Sequence, residues 1–328
     1  MPADVITYER GTGKYETLLE RCKSMPAVPT AVAHPCDEAS LGAVVEAAQA
    51  RIIAPILVGP ATIFVTIGLL LPILLLFRYS LNAFVPGKLM VEALTAENYV
   101  LFVTDPYYLA AFTRTLRVAV IVTALCVVLA FPLAYKLART QSRFKNLLVM
   151  LVVLPLFVGN AVRAAGWMTL LGNRGFLNVT LQWIGLTTEP IRFMYTELAV
   201  IVGILAVNLP YVVLTLQSVI EGIDRAVEDA AFSLGAGPFT MVRRVLLPLA
   251  LPGFAAGAIF CFILTMNAYA TPVLLGGPQF MMMGPLVYVQ FAAKSNWPFG
   301  AAVSFILMTA TLILTAAANL MVQRRYRT

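Results

Sequence analysis

Glu221-Gly-Ile-Asp-Arg-Ala-Val-Glu-Asp-Ala-Ala-Phe-Ser-Leu-Gly235-Ala-Gly-Pro-Phe-Thr-Met-Val-Arg-Arg-Val-Leu-Leu-Pro248 lies between two long apolar runs. Asp224 is a good N-cap for a helix beginning at Arg225. Glu228 and Asp229 lie early in that helix, where acidic groups suit its dipole. Gly235 is a natural C′ stop. Pro238 starts a second short helix, and Pro248 is expected to end it. The stretch therefore reads as helix, tight turn, helix. Val227, Ala230, Ala231 and Leu234 are expected to share one face, and the small Ala pair would let another surface approach closely.

The flanks of this stretch decide its setting. The chain has 328 residues, 60% hydrophobic and 12% charged, with mean hydropathy +0.86. Half the usual charge excludes an ordinary soluble enzyme, and the hydrophobicity excludes disorder. A membrane helix needs about 20 mostly apolar residues. Six runs meet that length: 61–81, 112–137, 147–171, 198–220, 251–275 and 299–322. They are continuous rather than alternating, which excludes a closed β-barrel. No GxxxG stands out in them as a dimer signature, the two halves show no convincing repeat, and no carboxylate is embedded at depth.

Charge gives an expected orientation. The loop between the second and third runs, counted from Lys136, the 221–250 loop and the C-terminal tail carry ten bases: Lys136, Arg139, Arg143, Lys145, Arg225, Arg243, Arg244, Arg324, Arg325 and Arg327. The opposite loops carry six: Lys88, Arg114, Arg117, Arg174, Arg192 and Lys294. The excess places the 221–250 loop and both termini in the cytoplasm. The net charge of +7 is clustered between apolar runs, which speaks for a membrane surface and not for nucleic acid. Cys22, Cys36, Cys126 and Cys261 form no CxxC pair and His34 is the lone histidine, so no metal site or cofactor is expected.

Asp229-Ala230-Ala231, three residues, Gly235, nine residues, Val245, one residue and Leu247-Pro248 resemble the signature loop of binding-protein-dependent ABC importers, Glu-Ala-Ala-x3-Gly-x9-Ile-x-Leu-Pro. The spacing matches throughout, with Asp229 in place of Glu and Val245 in place of Ile. Asp105-Pro-Tyr-Tyr108, Thr115-Leu-Arg117, Phe131-Pro-Leu-Ala-Tyr135, Val162-Arg163, Trp167, Thr271-Pro-Val-Leu-Leu-Gly-Gly277 and Asn296-Trp-Pro298 are similar to the spermidine/putrescine-type permeases in particular. The resemblance covers residues 60–328. It implies an all-α membrane protein with six transmembrane helices in the type I ABC importer permease fold, in a bacterial inner membrane. It also implies that the chain is not an enzyme. Its partners would be two ATPase subunits, a second permease subunit (a like or unlike copy) and an external solute-binding protein. Gly11-Thr-Gly-Lys14 lacks the spacing and following Ser/Thr of a phosphate loop, so the ATPase is expected on another chain.

In such a permease the coupling residues would be Glu228, Asp229, Ala230, Ala231, Phe232, Gly235, Val245, Leu247 and Pro248. Phe232 is either an apolar peg in the ATPase cleft or a packing residue of its own hairpin. Asn160, Arg163, Asn208, Tyr211, Asn267 and Tyr269 are the polar candidates for the pathway, or else interhelical hydrogen bonders. Arg163 reads either as a pore-lining charge or as a residue at a bent helix end. Pro155, Pro210, Pro248, Pro252 and Pro272 are expected to bend or end helices. Met281-Met-Met283 reads as a flexible apolar contact in preference to a soft-metal site. The cargo stays open. Ala268 stands where many relatives carry a carboxylate suited to a polyamine, and iron, thiamine, phosphonate or opine-like solutes are alternatives. An ion-coupled secondary transporter is the rival class.

Residues 1–60 differ in composition from the rest. A strand over 30–33, a helix over 38–50 and a strand over 52–58 make a short soluble βαβ-like extension. Lys14-Tyr-Glu, Val28-Pro-Thr-Ala-Val-Ala-His-Pro-Cys-Asp-Glu38 and Ile53-Ala-Pro-Ile-Leu-Val-Gly-Pro60 resemble the start of phosphate acetyl/butyryltransferases. One βαβ has too little core to stand alone. The extension is therefore expected to be a fusion remnant, joined near residues 56–61, with a cytoplasmic regulatory arm as the alternative.

Overall fold

A computed structural model of the protein describes residues 28–32, 53–57, 59–87 and 90–326, with side chains from residue 65 to residue 321. Two compact units make up the chain, residues 1–75 and 76–328. In the first, β1 (Val28–Val32) and β2 (Ile53–Leu57) pair in parallel, Val28 opposite Ile53 and Val32 opposite Leu57. Parallel neighbours need a crossover between them, as the βαβ reading expects. The expected helix over 38–50, together with His34, Cys22, Cys36 and Lys88, lies outside the described residues.

Helices make up most of the rest of the described residues. They are α1 (Gly59–Ser80), α2 (Glu97–Thr104), α3 (Pro106–Arg139), α4 (Lys145–Val153), α5 (Asn160–Leu171), α6 (Phe176–Trp183), α7 (Glu197–Glu221), α8 (Arg225–Ser233), α9 (Pro238–Met266), α10 (Met283–Ala293) and α11 (Trp297–Tyr326). Among the described residues α3, α7, α9 and α11 are each long and apolar enough to cross a membrane. The first expected span corresponds to α1, whose apolar part with described side chains is Val65–Ser80.

The third expected span is not one helix. Lys145–Phe157 and Asn160–Trp183 meet at a bend of 97°. Pro155 lacks an N–H and its ring crowds the preceding turn, so Leu154–Phe157 tightens to a 3-10 turn and the chain leaves the helix at Val158. The fifth expected span shifts as well. Its helix begins at Pro238, passes through Pro248 and stops at Met266. Pro248 does not end it, because Val242–Leu246 widens to a π turn just before the proline and relieves the ring's clash with the preceding turn.

The three helices α3, α7 and α9 pack on one another through small residues. On α3 the buried face runs Val118, Val122, Cys126, Ala130, Ala134 and Ala138, a spacing of three to four. On α9, Gly253-Phe-Ala-Ala-Gly257 is a GxxxG inside the fifth apolar run, contrary to the expectation that none stands out there, and it serves contact within the chain. Both glycines turn inward onto α7: a Cβ at Gly253 would come within 2.8 Å of the Val219 side chain, and one at Gly257 within 3.3 Å of Val212. Asn208 Nδ2 donates to Thr265 Oγ1 at 2.9 Å across the same interface. Large apolar side chains on α1, including Val65, Leu69 and Leu74, are exposed, as lipid-facing residues are.

The end of the bundle away from the 221–250 stretch is tied by side-chain bonds to backbone. Asn98 Nδ2 donates to the carbonyls of Ser80 and Asn82 at 2.8 and 2.9 Å. Arg114 donates to the carbonyls of Gln279 and Met281, each at 3.3 Å, and lies over the Phe280 ring. Met282 and Met283 are buried, in line with an apolar contact. Gly253→Leu should force the α7–α9 contact apart at a cost of about 1–3 kcal/mol. Thermal unfolding of the solubilised protein should show a lower midpoint, and Gly68→Leu, whose Cβ meets nothing within 4 Å, should not.

Candidate functional site

Two places gather the candidate residues: the hairpin formed by α8 and the start of α9, and a cavity at the far end of α9. In the hairpin, Asp224 Oδ1 accepts from Ala226 N at 2.9 Å and caps α8. Gly235 takes φ +82°, a left-handed conformation that only glycine adopts without strain. Ala236 N donates to Ala231 O and Gly235 N to Phe232 O, at 3.0 and 2.9 Å, which closes a Schellman turn.

Of the four residues expected to share a face of α8, Val227, Ala230 and Leu234 lie outward and Ala231 turns inward beside Glu228. Glu228 and Ala231 are buried, whereas Val227, Ala230, Phe232 and Leu234 are exposed. The reason is electrostatic. Tyr135 and Arg139, at the end of α3, wait for a carboxylate: Tyr135 Oη donates to Glu228 Oε2 at 3.0 Å and Arg139 Nε to Oε1 at 2.7 Å. Arg139 also donates to Ile223 O at 3.0 Å, and Arg225 donates back to the Arg139 carbonyl. Lys145 pairs with Glu221 at 2.6 Å beside it. The hairpin is thereby fixed to α3 and α7, and Glu228 is spent within the chain.

The outward face is left with Asp229, Ala230, Phe232, Leu234 and Phe239. Leu234 is 88% exposed and Phe239 76%. Apolar side chains grouped beside an acid on a short rigid helix have the character of a contact surface. Farther along, Val245 packs against the core, while Leu247 and Pro248 are exposed.

The cavity has a volume of about 310 Å³ and is lined by Asn160, Asn208, Tyr211, Asn267, Tyr269 and Thr271 among others. Five of the six pathway candidates thus come together from α5, α7 and the end of α9. Arg163 does not line it. The lining holds amides, hydroxyls and aromatic rings and, among the described residues, no charged side chain. Asn267 and Tyr269 also border a second cavity of about 390 Å³ with Ser304 and Thr311 of α11. Sequence reasoning missed Ser304 and Thr311, although two hydroxyls seven residues apart in an apolar run were a visible signal. It also missed Tyr135 and Arg139, which no local pattern ties to Glu228. Cys126 and Cys261 are both buried and free, and no group of metal-ligating side chains occurs among the described residues.

Residues 126–327 match the family model described as binding-protein-dependent transport system inner membrane component. The chain belongs to that family. It is a multi-pass permease of the inner membrane, and the match covers α7, the hairpin, α9 and the cavity. The permease is 34% identical over 260 residues to the spermidine/putrescine transport system permease protein PotB of Haemophilus influenzae, covering 78% of this chain and 90% of that one. It is 35% identical over 213 residues to PotB of Escherichia coli, covering 65% of this chain and 77% of that one. Among solved structures, a bacterial alginate ABC transporter in complex with an alginate pentasaccharide-bound periplasmic protein has a chain that superposes with TM-score 0.70 at 18% identity, covering 82% of the permease and 93% of that chain. The fold is therefore the type I importer fold.

Removing one partner of a buried ion pair costs about 3–5 kcal/mol because the other is left uncompensated. Arg139→Met should therefore loosen the hairpin. Limited trypsin digestion of the permease in membranes should cleave at Arg243 and Arg244 faster than in the parent, while Arg143→Met should leave the rate unchanged.

Proposed function

We propose that the permease moves a small polyamine-like cation inward, driven by ATP that a separate subunit hydrolyses. The observation that carries this reading is the exposed Asp229–Gly235 surface, clamped to the bundle and continuous with the helix that ends at the cavity. α9 rises about 43 Å over its 29 residues. A push on the hairpin therefore reaches Asn267 and Tyr269 as rigid-body motion, the element that alternating access requires.

In this reading the hairpin, residues 221–250, and both termini face the cytoplasm, as the ten-to-six excess of bases supports. An ATPase subunit takes the outward face of α8, with Phe232 and Leu234 as apolar pegs and Asp229 at the rim. A second permease subunit completes the pathway, and an external binding protein delivers the cargo. Residues 61–328 form the transport domain, and residues 1–60 are a remnant that it does not use. The cargo class rests on the PotB relatives. Tyr211 and Tyr269 offer aromatic faces to a cation, and the asparagine amides offer oxygens. The uncharged lining favours, as a second reading, the iron, thiamine, phosphonate or opine-like solutes.

Uptake of labelled putrescine and of these other solutes into vesicles, with the ATPase and binding protein present, decides the cargo. ATP-dependent uptake that ignores ion gradients is expected. Uptake that follows an ion gradient would overturn the importer mechanism for this chain. Gly235→Val puts a β-branched side chain at positive φ, a strain of roughly 1–2 kcal/mol. It should cut ATP-driven uptake about tenfold, which is what 1.4 kcal/mol is worth in rate, while membrane insertion stays normal. A chain starting at Ala61 should bind the ATPase as well as the full chain does in a pull-down.

A further inference from the structure

The break in the third span opens the backbone in the middle of an apolar run, where each unbonded carbonyl is costly. One side chain answers this. Arg163 Nη2 donates to Pro155 O and to Val158 O, each at 2.6 Å. Pro155 belongs to the segment before the break, Val158 is the first residue of the break and Arg163 lies after it, so the guanidinium ties the second segment back to the end of the first.

The position of Arg163 is otherwise unfavourable. It is in the first turn of α5, where the helix dipole repels a cation. The segment ending at Phe157 presents its negative pole to the same place, and the guanidinium bonds to that pole. Its Nε and Nη1 are buried without a hydrogen-bond partner among the described residues. A cation is therefore held at a site that solvates it poorly, and its only described bonds are those across the break. One turn earlier on the same helix, Asn160 lines the 310 Å³ cavity.

We propose that Arg163 is a positioning residue: it clamps the 97° bend between Lys145–Phe157 and Asn160–Trp183 and so sets Asn160 and α5 against the cavity. The clamp touches no cargo. Losing it changes the rate at which the pathway assembles and leaves recognition by the binding protein alone. The uptake arm of the test rests on the transport reading above. The distance arm does not.

The test uses the complete complex in lipid nanodiscs and vesicles. Cys22 and Cys36 are replaced by serine, and spin labels are attached at Leu151→Cys and Leu170→Cys, exposed positions on either side of the break. With Arg163 the label-to-label distance should be a single narrow distribution. Arg163→Gln should broaden it, and Arg163→Lys, which keeps the charge without the planar fork, should fall between. The maximal uptake rate should drop roughly tenfold in the Gln variant and roughly threefold in the Lys variant, as expected when a positioning contact is lost. The binding-protein concentration giving half-maximal uptake should stay within about twofold, since uniform binding is untouched. A narrow distribution in Arg163→Gln, or a Lys variant no better than Gln, overturns the proposal. If the Gln variant does not reach the membrane, the Lys variant decides by the same two readouts: an unchanged distribution with parental uptake overturns the clamp, and a broadened one with a reduced maximal rate supports it. Absence of uptake in the parent complex would refute the transport reading, and the distance distributions alone would then decide the clamp.

Discussion

Hydrocarbon offers no partner for a backbone N–H or C=O, and that constraint shapes every irregular feature of this permease. At several helix ends inside the bundle a side chain takes up the loose groups. Asn178 donates to the carbonyls of Gly172 and Ile191 and accepts from Ile191 N, all within 3.0 Å, and so closes the turn after α6. Asn98 does the same for the turn after α1, and Thr115 accepts from Met283 N at the start of α10. The buried polar residues are thus mostly backbone ligands. The cavity gathers the polar side chains of α5, α7 and α9 where those elements end or meet.

The second organising feature is mechanical. The Glu228 carboxylate ties α8 to α3, and α9 carries the hairpin directly into the bundle. Gly253 and Gly257 bring α9 close to α7, so the contact there is backbone against side chain with little slack. Between the hairpin and the bundle the chain is thus packed helix rather than loop.

Much of this is legible in the sequence because it is local or periodic. The apolar runs mark α3, α7 and α11 to within a few residues. Asp224, Gly235 and Pro238 mark the hairpin, because caps and positive-φ turns depend on single residues. What is not legible falls into two kinds. Continuous apolar content hides the break after Phe157, since hydropathy does not register the geometry that Pro155 imposes. Pro248 reads as a stop because a sequence does not show the π turn that accommodates it. The inward turn of Glu228 depends on Tyr135 and Arg139, some ninety residues away, and helical periodicity does not show such partners. In the cavity, five asparagine and tyrosine residues are recognisable as polar groups in apolar runs. Their convergence is not, since it brings together the start of α5, the middle of α7 and the chain just after α9.

The π turn at Val242–Leu246 also sets a phase. An α-helix advances about 100° per residue, and a π turn holds one residue more than an α turn. Everything before Val242 is therefore rotated by about that angle relative to where an unbroken α-helix would put it. The side of α9 that meets the hairpin and the side that meets α7 are set independently, as two cams are keyed at different angles on one shaft.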